Sequence, residues 1–187
     1  MHYFVSLPCK PFRIAGMRYF KFYIQQEGID SSGNNYPIKE AGVDFLVYEQ
    51  SSKFYGGMET KEPAKRDWYD QDGDDEFIPK NPKYKAKEIE VKFACKGALF
   101  SSNKKIDNFQ AFLANCGSMK IYDEYNGVGR QNVRFVSVSD DAELHRKMDG
   151  SDEALVFTVK MKVNDPVTKI TPLKDENGNV ISLIVTQ

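Results

Sequence analysis

Two segments of this sequence alternate apolar and polar residues over most of their length. One runs from Glu88 to Cys95 and the other from Leu155 to Val163. A period of two residues places every second side chain on the same face, so each segment predicts a β-strand with one buried and one solvated face. The apolar members of both strands are expected to face one shared buried layer: Ile89, Val91, Phe93, Phe157, Val159 and Met161.

Between these strands lies a helical pattern. Apolar residues recur at the spacing of one helical face, at positions Ile106, Phe109, Phe112 and Leu113. Ser101 or Ser102 can cap the N-terminus, and Gly117 can close the helix in the left-handed conformation. The pattern therefore predicts one short amphipathic helix of about three to four turns.

The other apolar segments are short and bounded by turn residues, which is typical of strands. We expect strands at 18–24, 43–48, 119–122, 133–138 and 180–185, with turns at 125–127 and 175–179. Asn164, Asp165 and Pro166 are expected to end the second alternating strand, and residues 142–148 are compatible with one helical turn. The fold class predicted is mainly β, an antiparallel β-sandwich with one short α-helix and a C-terminal β-hairpin.

A chain of 187 residues predicts a single domain spanning 1–187. Within it we expect an N-terminal arm at 1–16, a long polar loop at 59–85 and a C-terminal hairpin at 164–187. A loop as long as 59–85 is uncommon in a compact domain unless it has a function.

Charge and composition argue against several classes of protein. Lys and Arg together number 26 and Asp and Glu 27, so the clustered positive charge of a dedicated nucleic-acid binder or anionic-membrane binder is not expected. No apolar run approaches the roughly 20 residues that span a bilayer, and the N-terminal residues do not resemble a secretory leader. Cys9, Cys95 and Cys116 predict reduced thiols, with one disulfide plus a free cysteine as the alternative.

The sequence contains no recognisable set of catalytic groups, so we expect no enzymatic activity and no cofactor. His2 and His145 do not lie in a nucleophile motif and do not have zinc-finger spacing. The acidic run 70–76 alternates as calcium ligands do, but Asp75 stands where the EF-hand loop needs glycine and Asn81 where it needs glutamate. A solvated acidic loop is the main interpretation, and a calcium site is the alternative.

Aromatic residues leave a second alternative for function. Most of them fit alternating core positions, but Trp68 and Tyr69 lie together in the polar segment. Exposed aromatic rings of this kind contact sugars in carbohydrate-binding modules. A carbohydrate-binding β-sandwich therefore stays open as an alternative function.

The order of elements from about 84 to 166 resembles a known family. It consists of the strand Lys87–Phe93, Gly97, the helix Ile106–Leu113, the segment Gly117–Asp123, the strand Val133–Val138 and the strand Leu155–Val163 followed by Asn164-Asp165-Pro166. This order resembles the N-terminal ring-forming domain of siphophage distal tail proteins, which are baseplate-hub or tail-tip ring proteins, of the type found in Bacteroidetes phages and prophages. Residues 18–82 fit the family only loosely.

The resemblance implies a structural virion component without enzymatic activity or cofactor. Members form a homo-oligomeric, hexameric ring that joins the tail tube to the tail tip, so the implied partners are copies of the chain and the tail-tube and tail-tip proteins. It further implies a location in the virion tail, after assembly in the host cytoplasm. We expect the subunit interface to include polar residues of the helix and of the acidic loop: Lys104, Lys105, Asp107, Asn108, Asp72 and Asp74.

Overall fold

The computed structural model describes residues 21–40, 45–49, 57–98, 100–124, 126–139, 142–146 and 148–186. Within these ranges the chain forms one helix, α1, at Ser102–Asn115. The strands in chain order are β1 Phe22–Gln26, β2 Ile38–Glu40, β3 Phe45–Glu49, β4 Ala64–Asp67, β5 Asp74–Phe77, β6 Lys87–Ala98, β7 Met119–Asp123, β8 Val128–Val138, β9 Glu143–Arg146, β10 Asp152–Lys174 and β11 Val180–Val185. The mainly β, antiparallel fold class with one helix and a C-terminal hairpin is confirmed.

Nine of the described strands form one curled sheet. Its order is β2-β1-β7-β8-β10-β6-β3, with β9 and β11 also paired to β10. Strands β2 and β3 lie at opposite ends of this order, yet only residues 41–44 separate them in the chain. Five residue steps span at most roughly 18 Å, so the two ends of the sheet must approach each other. The rings of Phe22 on β1 and Phe93 on β6 accordingly meet at 5.7 Å across the interior.

The two alternating strands pair as the sequence predicts. Strand β10 runs antiparallel to β6 with Phe157 opposite Phe93, and the pairs Val159–Val91 and Met161–Ile89 follow in the same register. All six side chains are at most 1% exposed. The prediction of a shared buried layer is confirmed.

Helix α1 covers the open side of this layer. Ile106, Phe109 and Leu113 are buried, and the ring of Phe109 lies 5.5 Å from that of Phe93. Gly117 follows the helix with φ of 64°, the left-handed conformation that glycine adopts without strain. The predicted helix and its glycine stop are both confirmed.

The predicted serine cap is wrong in its chemistry. Ser101 occupies the N-cap position, but its hydroxyl donates to the Ala98 carbonyl and does not cap the helix. The N–H of Ser102 is instead satisfied by the carboxylate of Glu153 on β10, at 2.9 Å. A residue from a distant strand therefore takes the role of the local cap.

The C-terminal hairpin forms a second layer over β1, β2 and β7. Ile170 and Leu183 of the hairpin pack with Tyr23 in a second buried cluster. Gln25, which is 2% exposed, accepts a hydrogen bond from the backbone N–H of Leu183 at 2.8 Å. Lys120 donates to the Leu183 carbonyl at 3.0 Å. Strand β1 is therefore buried on both faces, between the main core and this hairpin.

Strand β10 does not end at Asn164-Asp165-Pro166, which corrects the prediction. A bulge in the pairing with β8 lies between Asp165 and Lys169. The Asp165 carboxylate accepts the backbone N–H groups of Val167 and Thr168, each at 3.1 Å. Partial burial of Asp165 raises the pKa of its carboxyl group. Hydrogen bonds from the Thr168 and Gln131 side chains and from the backbone have the larger effect together, and they lower the pKa to about 2. A side chain thus replaces the ladder bonds lost at the bulge, and the strand continues.

Two further expectations are corrected. Residues 143–146 are not a helical turn but strand β9, paired with residues 153–156 of β10. The long polar loop 59–85 contains the hairpin β4–β5. The expected N-terminal arm 1–16, Cys9 and residues 18–20 and 43–44 of two predicted strands lie outside the described residues.

Candidate interaction surfaces

The hairpin β4–β5 stands apart from the main sheet. At its base, the backbone N–H groups of Lys61 and Lys85 donate to the carbonyls of Lys83 and Glu59, each at 2.7 Å. The Lys85 ammonium also lies 2.6 Å from the Glu59 carboxylate. These contacts join residues 59–61 to residues 83–85 and so close the base of the segment that contains the hairpin.

The strands of this hairpin bury none of their side chains. All eight residues of 64–67 and 74–77 are exposed. Its apolar residues are exposed as well: Tyr69 at 102%, Phe77 at 73% and Ile78 at 78%. A two-stranded hairpin is marginally stable alone in water, so this surface is of the kind that gains stability from a partner.

The hairpin carries an excess of negative charge. Residues 64–77 contain two basic and six acidic side chains. Asp67 lies directly opposite Asp74 in the pairing of the two strands, and like charges in that position repel. The Lys65 ammonium lies 3.0 Å from Asp74 and offsets part of this charge. We call residues 64–77 the acidic hairpin.

Trp68 and Tyr69, the residues predicted for sugar contact, lie just after β4 in the turn of the acidic hairpin. The guanidinium of Arg66 stacks over the Trp68 ring at 3.7 Å from its centroid, so one face of the indole is occupied. Tyr69 is fully exposed. Trp68 is 37% exposed, so Tyr69 and part of the Trp68 ring are open to a ligand here.

The predicted interface residues lie on two separate elements. Lys104, Asp107 and Asn108 are exposed on α1, opposite the buried stripe, and Lys105 is half-buried. Asp72 and Asp74 are exposed on the acidic hairpin. Their common role in a subunit contact stays a prediction.

A basic surface on the outer face of the sheet was missed from the sequence. Lys160 and Lys162 of β10 and Arg134 of β8 point away from the core. Lys160 is paired with Glu90 at 3.7 Å. The alternation within each strand predicts that these side chains face solvent. That they lie next to each other depends on the β8–β10 register, which includes a bulge at Lys160/Met161. We call Arg134, Lys160 and Lys162 the basic face.

The groups usually responsible for catalysis are dispersed in the described part of the chain. His145 is exposed on β9, 3.5 Å from Glu143. Cys95 and Cys116 are buried in the core and form no disulfide. Across the described ranges, no group of three His, Cys, Asp or Glu side chains converges to hold a metal ion, and this includes the acidic hairpin considered as a calcium loop. The described helix is also too short and polar to cross a membrane.

This chain resembles a solved structure of a phage protein. No family model and no curated protein matches the sequence. Among solved structures, the chain matches SPP1 Dit (gp 19.1), described as a paradigm of the hub adsorption apparatus in phages that infect Gram-positive bacteria. The TM-score is 0.47 and the sequence identity 18%, over 81% of this chain. The matched region spans 52% of the SPP1 Dit chain, about half its length.

Proposed function

We propose that this protein is a non-enzymatic structural component of a phage or prophage tail. In this proposal copies of the chain assemble into a ring, a hexamer by the family resemblance, between the tail tube and the tail tip. Tail-tube and tail-tip proteins are its other partners, and it acts without cofactor, nucleic acid or membrane. It is assembled in the host cytoplasm and resides in the virion tail. SPP1 Dit is described as part of a hub, which is the same class of function.

The observation that carries the proposal is the acidic hairpin. An element whose eight strand residues are all exposed adds no core to its own subunit. A protein that acts as a soluble monomer gains nothing from exposing Phe77 and Ile78 beside each other. A subunit of an assembly does, because the partner covers these side chains. The strand–helix–strand order from 84 to 166 supports the choice of a tail ring over other assemblies.

The polar face of α1 belongs to the same proposal. Lys104, Asp107 and Asn108 are exposed where the helix turns away from the core, which suits a partly charged contact between subunits. Contacts of that kind are screened by salt. In this arrangement α1 both seals the core and presents a surface to the neighbouring subunit.

The test is the state of association. Light scattering and negative-stain electron microscopy should detect rings of the purified chain, alone or after mixing with the tail-tube protein from the same genome. Association should weaken as salt is raised. A strict monomer at every salt concentration, with no ring after addition of the tube protein, would contradict the proposal.

Carbohydrate binding is the second candidate function, and the exposed ring of Tyr69 beside the partly exposed ring of Trp68 favours it. Stacking of sugars on such rings should be abolished by replacing both residues with alanine. A glycan array that gives signal with the wild type and not with this variant would support the alternative. Silence of the wild type on the array would remove it.

A further inference from the structure

We propose that the acidic hairpin docks onto the basic face of a second copy of this chain. The inference rests on the proposed assembly into rings and specifies which surfaces meet. Each surface carries an unfavourable arrangement of charge in the isolated subunit. The two arrangements have opposite signs.

On the hairpin the unfavourable feature is the cross-strand pair Asp67–Asp74. Two carboxylates directly opposite each other on neighbouring strands repel. Lys65 contacts Asp74, but no described residue forms an ion pair with Asp67. Asp70 and Asp72 in the adjoining turn are also exposed and add to the negative field.

On the basic face the matching feature is the cross-strand pair Arg134–Lys162. Both are cations, and within the described ranges neither lies within ion-pair distance of a carboxylate. On the other side of Lys162 the register places Glu88, and Lys160 already holds Glu90. The face therefore has more positive charge than its own strands neutralise.

The shapes of the two surfaces are compatible. The basic face is the outer surface of extended, paired strands, with Val136 exposed among the charged side chains. The acidic hairpin is a narrow two-stranded ribbon with exposed apolar residues, including Phe77. A ribbon laid across a sheet face brings opposite charges together around an apolar centre. The two surfaces lie on different parts of the chain, so the contact is head-to-tail, the type that generates rings when the rotation closes.

The test is a charge exchange between the two surfaces. One variant reverses the hairpin, Asp67→Lys with Asp74→Lys, and another reverses the face, Arg134→Glu with Lys162→Glu. A third, Lys104→Glu with Lys105→Glu, makes the same charge change on α1 and tests whether the hairpin docks there instead. Each is examined by circular dichroism for folding and by sedimentation velocity for association. The hairpin and face variants should each remain folded and lose association by at least about tenfold.

The decisive measurement is the mixture. In an equimolar mixture of the hairpin and face variants every contact again joins opposite charges, so association should return. In the mixture of the hairpin and α1 variants the reversed hairpin meets only positively charged faces, so association should not rise above that of the α1 variant alone. Recovery only in the latter mixture would overturn the proposal and place the hairpin on α1. If the double-reversed chains prove unfolded, the neutral pairs Asp67→Asn with Asp74→Asn, and Arg134→Gln with Lys162→Gln, should each weaken association and remove part of its salt dependence.

The outcome also separates this inference from the proposed function. A wild type that forms rings, with hairpin and face variants that associate equally well, would overturn the docking and leave the ring intact. A wild type that never associates would overturn both.

Discussion

The carboxylate of Glu153 accepts the backbone N–H of Ser102 at 2.9 Å, although 51 positions separate the two residues in the chain. Glu153 is 3% exposed and lies on β10, whereas Ser102 begins α1. The negative charge sits at the positive end of the helix and is also held by Arg146, at 3.5 Å. The helix is thereby fixed to the central strand of the sheet at its first residue.

This contact makes stability depend on pH. The hydrogen bond from the Ser102 N–H lowers the pKa of Glu153 below its ordinary value of 4.5, and outweighs burial, which raises it. Because the pKa is lower in the folded state, ionised Glu153 stabilises the fold fully at pH values above its ordinary pKa. This stabilisation is lost as the pH falls through the lowered pKa of the folded state. Glu153→Gln should be less stable than the wild type at neutral pH. Urea unfolding between about pH 5 and pH 3 should show the difference shrinking, and an unchanged difference would contradict the assignment.

Phe93 is the centre of the aromatic core. Its side chain is 0% exposed, and its ring contacts those of Phe22, Phe109 and Phe157. Phe93→Ala should lower the free energy of unfolding by about 3–5 kcal/mol, measured by chemical denaturation. Phe77→Ala, at an exposed site, should change it by no more than about 0.5 kcal/mol. Equal effects of the two substitutions would refute the register of β6 on β10.

Gly129 marks a close approach of β8 to β10. A Cβ built at this position would lie 2.5 Å from the Ile170 carbonyl oxygen and 2.8 Å from the Ile170 Cβ. Gly129→Ala should therefore destabilise the protein by about 1–3 kcal/mol, because backbone cannot move aside as a flexible side chain can. Gly57→Ala is the control, since nothing lies within 4 Å of its Cβ position. Thermal melts of both variants check the prediction, which fails if they melt together.

Gln25 fastens the C-terminal hairpin to β1. Gln25→Ala leaves the buried Leu183 N–H without its acceptor, which should cost about 1–3 kcal/mol. The loss should be local, so amide hydrogen exchange should accelerate first in residues 180–185. Lys120→Met, which removes only the bond to the Leu183 carbonyl, should have a smaller effect in the same segment. Faster exchange confined to β6 and α1 would contradict this account.

The polar face of α1 gives a prediction about assembly. Lys104→Glu with Lys105→Glu should change subunit stability by no more than about 0.5 kcal/mol, because Lys104 is exposed and Lys105 only half-buried. It should nevertheless reduce ring formation if this face lies at the interface. Sedimentation velocity and a thermal melt of the same sample separate the two effects. Assembly equal to the wild type would leave α1 as a cover for the core alone.

The sequence pattern correctly predicted the elements whose conformation is determined by residues close together in the chain. The alternation of apolar and polar residues in 88–95 and 155–163 predicted the central pair of strands, and the spacing from Ile106 to Leu113 predicted α1. The turn residues at 175–179 predicted the C-terminal hairpin, where the Asp175 carboxylate accepts the Asn179 N–H at 2.7 Å. Each of these signals lies within a few residues of the structure that it specifies.

The features that were mispredicted depend on distant partners. A proline locally predicts the end of a strand, but β10 continues through Pro166. At the bulge the Asp165 carboxylate accepts hydrogen bonds from the Val167 backbone N–H and from the Gln131 side chain. The cap of α1 comes from Glu153, which no local motif reveals. The basic face likewise emerges only when the strand register is known, so the candidate contact between copies was visible from sequence on the hairpin side alone.

The placement of β2 and β3 at opposite ends of the sheet order has a consequence for how the protein folds. Strands β1, β2 and β3 are synthesised before the strands that lie between them in the sheet, so β1 must wait for β7, and β3 must wait for β6. Pairings of such long sequence separation form slowly, because the entropy of closing the intervening chain is lost before they contribute. The nascent chain therefore exposes unpaired strand edges until its second half emerges, and co-translational chaperoning should matter more for the yield of this protein than its final stability does.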